Sequence, residues 1–467
     1  MQFDISPAGR TLSGRVQIAI RVDYCPAISD TPIRRCLAIA GQLREQQARV
    51  LFVTADDGAT SFIRGTGFGC HLLDSDWRDP EPEADVLIDY LEEEGIELLL
   101  IDQPRVTPVY LSHLREAGLH LALIDDQMRF PYDVELIVNP LPEGKRIDYD
   151  LFYKEARRRR EEELIERRER VESAEEELRR LTGQAQGNDD ESLQEEIEAA
   201  QERLRQYRQL EREGLPPVPD PESIRFLLGI GYKALPGGLA QSQIMIWRKE
   251  QEPLPNIEFP SQPDMASEPV LDGLQTDAPL RQAGLEPIRD LFLTLDGADT
   301  GGVVERMVTG ILRDPELKDV RIHIYCGLFF RVTERLQIFL EDGRVFLHHE
   351  GEEDVARLMC RCEAGIAPGG IMLYELCACR CPGVSFYMTD VQREEAELFS
   401  DEELIPCAGD YRDDWKGCIA GLIRELHVYD RMGVEGRSQW GERAVALVDG
   451  QGAGRIAEAL LTLQEER

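Results

Sequence analysis

No apolar run in the 467 residues approaches the ~20 needed to span a bilayer, so a membrane span is not expected. Positive charge is also short. The 53 lysines and arginines stand against 89 acidic residues, a formal net charge of −36. Phosphate backbones and anionic membrane surfaces would be repelled, which argues against nucleic acid as a main partner. The opening residues MQFDISPAGR lack the charged and apolar blocks of an export signal. The eleven cysteines are odd in number and scattered, and Cys36, Cys326 and Cys377 fall inside apolar runs. They read as reduced thiols in a cytoplasmic protein. Paired C-x-x-C spacing is missing: Cys360, Cys362, Cys377, Cys379 and Cys381 follow C-x-C spacing, which suits small buried side chains better than a metal site. Neither a metal nor a cofactor is expected.

What is present is an alternation of apolar strands and amphipathic helices. VQIAIRV, a helix over PIRRCLAIAGQLREQQ and RVLFVTA open a βαβ pattern. ADVLIDYLEEEG, IELLLID, VYLSHLREAG, LHLALIDD and VELIVNPL continue it. Strands apolar on both faces argue for a parallel sheet covered on both sides, with its binding groups at the carboxyl ends of the strands. Arg21, Asp23, Asp102, Asp125 and Asp126 fall there. From 154 to 213 the composition turns to Glu, Arg and Gln. Leu164, Val171, Ala174, Leu178 and Leu181, then Leu193, Ile197, Ala200, Leu204 and Tyr207, keep heptad-like spacing. That spacing predicts an inserted antiparallel coiled-coil hairpin, a natural element for binding a protein partner. Residues 250–288, rich in Pro, Gln and Asp, read as a linker. A second α/β pattern occupies 289–467. The first domain is expected over 1–153 and 214–249. The fold class expected is α/β, two Rossmann-like domains facing a cleft, the B-type glycosyltransferase (GT-B) architecture.

The stretch Ala364–Gln392 is the most informative. It reads as strand, glycine turn, helix and buried strand. Gly369 and Gly370 let the chain turn sharply and bring the N–H groups of a helix start toward an anion. Glu375, one turn in, is placed to accept from a ribose diol.

Taken in order, these motifs resemble the UDP-sugar hydrolases of the pseudaminic-acid pathway, themselves similar to GT-B glycosyltransferases. The matching pieces are Arg21-Val-Asp23, the Ile28–Cys36 loop and helix start, LLLID, LALIDD and Asn139. Further on they are the Leu227–Tyr232 segment, Asp296-Gly297-Ala298-Asp299, Gly369–Glu375 and Val391-Gln392. The resemblance covers both globular halves and leaves out the insert and the linker. It implies a nucleotide-sugar site built from Arg21, Arg35, Gly297, Asp299, Gly369, Gly370, Glu375 and Gln392.

The departures fall at the chemistry. Pro32 stands where the family's histidine activates water, and a proline has no proton to exchange. Ser29 and Thr31 replace loop glycines, Asp296 brings a carboxylate toward the phosphates, and Ile371 and Met372 replace two hydroxyl donors. Asp23 or Asp30 would have to act as base. The resemblance therefore implies a protein that binds or acts on a nucleotide-activated amino sugar, a UDP-sugar in the family, with impaired hydrolysis. The alternative is an inactive assembly protein that uses the hairpin to bind partners. Simpler roles remain open for individual residues. Arg21 and Asp23 could pair and fix a loop, Asp125 and Asp126 could cap a turn, and His348 and His349 read as surface residues.

Overall fold

In the computed structural model, residues 16–25, 31–141, 144, 147–185, 191–212, 215–235, 286–295, 302–326, 330, 332–341, 343–349 and 355–465 are described. The chain divides into two compact units. One comprises Met1–Gly229 and Ile456–Arg467, the other Ile230–Arg455. The change of unit thus falls at Gly229–Ile230 rather than after 249, and the end of the chain returns to the first unit. The expected linker, 250–288, lies outside the described residues apart from its last three.

The first unit is built on strands β1 (Gln17–Val22), β2 (Arg49–Thr54), β3 (Gly69–Leu72), β4 (Leu98–Asp102), β5 (His120–Ile124), β6 (Leu136–Asn139) and β7 (Arg225–Leu228). Their order is β3-β2-β1-β4-β5-β6-β7, and every neighbouring pair is parallel. Helices α1 (Thr31–Glu45), α2 (Thr60–Arg64), α3 (Ala84–Glu94) and α4 (Pro108–Glu116) make the connections. Every residue of β4, LLLID, is buried, as a central strand covered on both faces requires. Leu99, Ile101, Leu121 and Leu123 share one core with Leu87, Leu91, Tyr110 and Leu114 of α3 and α4. Alternate residues Leu100 and Ala122 point to the opposite face.

Helix α5 (Tyr149–Ala185) starts inside the first unit, because Tyr149 and Tyr153 belong to that core. The helix, about 55 Å long in all at 1.5 Å per residue, then leaves as the first arm of a hairpin. Helix α6 (Glu191–Arg212) runs back antiparallel, with Arg208 on Glu175 at 2.6 Å and Arg203 on Glu177 at 3.1 Å. The seam is thin: Val171, Ala174 and Leu204, with Leu178 and Tyr207 against them. Leu164, expected in the seam, is exposed.

The second unit repeats the plan. Its strands are β8 (Asp290–Thr294), β9 (Arg321–Cys326), β10 (Val345–His349), β11 (Ala364–Pro368), β12 (Gly383–Tyr387) and β13 (Cys407–Asp410). They run parallel in the order β10-β9-β8-β11-β12-β13. Helices α7 (Val303–Arg313), α8 (Glu334–Glu341), α9 (Val355–Arg361), α10 (Ile371–Ala378), α11 (Asp390–Asp401) and α12 (Trp415–Leu447) complete it, and the last helix, α13 (Gly452–Glu465), lies mostly in the stretch that returns to the first unit. Gly433, at φ 63°, kinks α12. Both sheets have the doubly wound order that reverses beside the first strand. Their switch points, where such sheets bind ligands, therefore lie between β1 and β4 and between β8 and β11, at the carboxyl ends.

Among the described residues no helix is long and apolar enough to cross a membrane, and no cluster of side chains could hold a metal ion. Cysteines 360, 362, 377, 379 and 381 are all buried thiols, as their spacing suggested.

Candidate functional site

At the first switch point the carboxyl rim of the sheet is a set of buried ion pairs. Arg21 has no exposed surface. Its Nε and Nη2 donate to the two carboxylate oxygens of Glu83 at 2.7 and 3.0 Å, and Nη1 lies 2.7 Å from Asp23 Oδ1. Tyr110 donates its hydroxyl to Glu83 Oε1 at 3.1 Å, and Ser75 donates to Oε2. Asp23 Oδ1 also accepts the Ala55 N–H at 2.7 Å. Burial opposes the charge on Arg21, but Asp23 and Glu83 outweigh it and hold the guanidinium protonated well beyond its ordinary range. On the other face of the sheet Arg35, from α1, donates Nε and Nη2 to Asp102 and Nη1 to Asp126, each at 2.6 Å. Asp125 uses Oδ1 to cap its own turn, accepting from the Gln127 and Met128 N–H groups at 3.1 and 2.8 Å. Burial pushes its carboxyl above the usual range.

Arg21 and Arg35 thus direct their guanidiniums at carboxylates inside the protein, although Arg21 Nη1, within ion-pair reach of Asp23, makes no hydrogen bond among the described residues. The structure brings Arg21 to Asp23 and Arg35 to Asp102 and Asp126. Pro32 is the second residue of α1, and nothing at that position can take a proton from water. Asp30, the other base candidate, lies outside the described residues, as do Gly297 and Asp299 of the Asp296 turn. His71 sits on the edge strand β3, and its ring stacks on Tyr90 at 3.5 Å.

The second switch point carries the glycine turn. Gly370 has φ 149° and ψ −165°, a region open in practice to glycine alone. Gly369 has a different reason. A Cβ there would stand 1.8 Å from the backbone oxygen of Gln392 and 3.1 Å from the Ala396 nitrogen, so α11 crosses directly over it. Glu375 is buried in α10. Gln392 keeps that crossing in place: its N–H donates to Thr389 Oγ1 at 3.2 Å, and its side-chain oxygen accepts from the Met388 N–H at 2.9 Å. Lys233, buried in the second unit, lies 4.2 Å from the centre of the Tyr374 ring and 3.7 Å from Glu395. This cation beside α10 and α11 carried no motif in the sequence.

The histidines of β9 and β10 form a further group. His323 Nε2 meets Asp290 Oδ1 at 2.9 Å, and His323 Nδ1 meets His348 Nε2 at 3.0 Å. Arg321 donates to Asp290 Oδ2 at 2.6 Å. His348 is therefore part of a half-buried chain rather than a surface residue, whereas His349 is exposed. Burial works against the Asp290 carboxylate, but His323 and Arg321 overcome it and hold its pKa below the ordinary value. A depressed carboxylate contributes stability that is present above the unfolded pKa, near 4, and is lost as pH falls through the lower folded value. Asp290→Asn should accordingly be less stable than wild type at pH 7. The gap should narrow as pH drops below about 4, as followed by denaturant unfolding across that range.

No family model matches the chain, and no curated protein does. Among solved structures, MurG of Acinetobacter baumannii is similar at a TM-score of 0.50 and 10% identity, over 96% of this chain and 99% of that one. The glycotransferase of kitacinnamycin aligns at 0.49 and 13%, over 96% and 99%. Anabaena Alr3699/HepE, solved in complex with UDP, aligns at 0.45 and 11%, over 96% and 100%. At these identities the likeness is one of fold. The chain is a two-domain α/β protein of the GT-B type, as its strand orders and the likeness to MurG together show.

Proposed function

We propose that this protein binds a nucleotide-activated amino sugar through the glycine turn of its second unit, and that it hydrolyses such a sugar poorly or not at all. The observation that carries the reading is the turn Pro368–Ile371, placed after β11 at the switch point, with Gly370 in a conformation that only glycine adopts readily. Backbone N–H groups at such a turn suit a diphosphate, and Glu375 one helical turn on suits a ribose. The resemblance to UDP-sugar hydrolases of the pseudaminic-acid pathway supplies the ligand class. Pro32 in place of the water-activating histidine supplies the expected loss of rate, since general-base catalysis is worth roughly 10²–10⁴-fold.

The test is release of UDP from a panel of UDP-amino sugars against a heat-denatured control. The expected result is no turnover above that control. Robust turnover abolished by Asp30→Asn would overturn the inactive reading and make Asp30 the base. A second reading, an assembly protein that binds a partner through the hairpin, is favoured by exposed Leu164, Ile165 and Leu210 on its two arms. It stands alone if neither turnover nor UDP binding is found.

A further inference from the structure

One face of the first hairpin arm is left uncovered, and its pattern is symmetric. Arg157, Glu161, Leu164, Ile165, Arg168 and Glu172 of α5 follow one another at spacings of 4, 3, 1, 3 and 4, which keeps them on one stripe of a 3.6-residue helix. Val171 and Ala174, which meet α6, are buried, so the stripe lies to one side of the seam. Leu164 and Ile165 are 46% and 55% exposed, with Glu161, Arg168 and Glu172 exposed beside them. Among the described residues the side chains of Glu161, Arg168 and Glu172 have no ion-pair or hydrogen-bond partner. Charges off the stripe, by contrast, close pairs along α5, Arg158 on Glu162 and Arg167 on Glu163. Arg157 meets Asp220 in a half-exposed pair at 2.7 Å, a contact worth little in solvent.

Taken in the opposite direction, the stripe keeps its spacing and inverts its charges. About the midpoint between Leu164 and Ile165, Glu161 falls on Arg168 and Arg157 on Glu172; one step further out, Lys154 falls on Glu175. A second helix of the same sequence, laid antiparallel, would set leucine on isoleucine at the centre and opposite charges on both sides. Each pair would occur twice, as a two-fold axis requires. An unrelated partner gives the stripe no reason to be symmetric about its own middle. The net charge of −36 opposes any meeting of two copies, so the contact has to be carried by local complementarity of this kind.

We propose that this face of α5 is a self-association surface, on which a second copy of the chain lays its own α5 antiparallel, crossing at Leu164 and Ile165. The proposal rests on the hairpin reading, for which it names the partner, and is independent of the nucleotide site. A single helix crossing buries little surface, so the dimer should be weak, in about the micromolar range or above.

Sedimentation equilibrium of the full-length protein across the micromolar range, at physiological salt, tests it. Wild type is expected to show a monomer–dimer equilibrium. Arg168→Glu and Glu161→Arg should each weaken the dimer about tenfold or more, because two like-charge contacts replace two unlike ones. The double exchange, Glu161→Arg with Arg168→Glu, restores opposite signs and should bring association back to within about threefold of wild type. Ile165→Glu, at the centre of the crossing, should abolish association over the same range. All three positions are exposed, and thermal unfolding confirms that each variant is folded. A chain that is monomeric at every concentration overturns the proposal. So does a dimer indifferent to these substitutions, or one that the double exchange fails to restore. A monomer that also binds no UDP overturns self-pairing while leaving the hairpin reading in place with a different protein as partner, so the two fail separately.

Discussion

Replacing Glu83 with alanine should cost the first unit about 3–5 kcal/mol, the penalty for stranding a buried guanidinium. Glu83 takes both Nε and Nη2 of Arg21 and holds Tyr110 and Ser75 as well, and Arg21, Glu83 and Tyr110 are all buried. After its removal Asp23 is the remaining anion on Arg21, and it shares its oxygen with the Ala55 N–H. For a unit of this size the loss corresponds to a fall in melting temperature of roughly 10 °C. Glu83→Gln, which keeps the volume and one acceptor, should fall between. The control is Glu94→Ala, which breaks a half-exposed pair with Arg49 and should change stability by about 1 kcal/mol or less. A Glu83→Ala shift no larger than that control would show that Arg21 is not held as described.

The second large effect is expected at Gly369. Its substitution by alanine places a methyl 1.8 Å from a backbone oxygen of α11, closer than any real contact. No side-chain rotation relieves it, because the obstacle is main chain. Helix α11 must shift or the turn must move, and overpacking of that kind costs about 3 kcal/mol or more. The same change at Gly183, exposed in the hairpin with open space around it, should be neutral or slightly stabilising through helix propensity. Thermal unfolding of the two variants side by side decides it. A Gly369→Ala protein as stable as wild type would mean that α11 does not cross the turn.

These two residues also show what the sequence could and could not convey. The glycine pair was legible as a turn, because strand, Gly-Gly and helix stand in line. That Gly369 answers to α11 was not, since the contact is made by a helix twenty residues later. The signal for α11 was present in Thr389 and Gln392, the T-x-x-Q spacing of a helix start, but it stood at the very end of the Ala364–Gln392 stretch, which read as closing on a buried strand. Glu83 had no signal at all. In a chain with so many acidic residues, one glutamate in a Pro-Glu-Pro-Glu loop cannot be told from solvated surface until the fold brings Arg21 to it. Central strands such as LLLID were plain because both faces are apolar. Strand β3, GCHL, was missed because an edge strand half exposed on both faces shows neither alternation nor a run. The histidine chain was hidden for a third reason. His323 and His348 lie on neighbouring strands 25 residues apart, and only the register of β9 on β10 brings them together.

Arg21 and Asp23 illustrate how the same pair supports two readings. Their positions at a strand end suggested ligand contacts, and the structure pairs Arg21 with both Asp23 and Glu83.

The most direct test of the nucleotide reading is calorimetric titration of UDP into wild type and Glu375→Gln, with inorganic phosphate as the reference ligand. The helix start carries Ile371 and Met372 and so offers no side-chain hydroxyl donors, which are worth about 0.5–1.5 kcal/mol each; wild type should bind UDP with roughly high-micromolar to millimolar affinity and more tightly than phosphate. Glu375→Gln, with an unchanged melting temperature, should bind about fivefold more weakly. Superimposable isotherms would remove Glu375 from the site, and no heat with UDP at millimolar concentration would contradict the nucleotide-binding assignment.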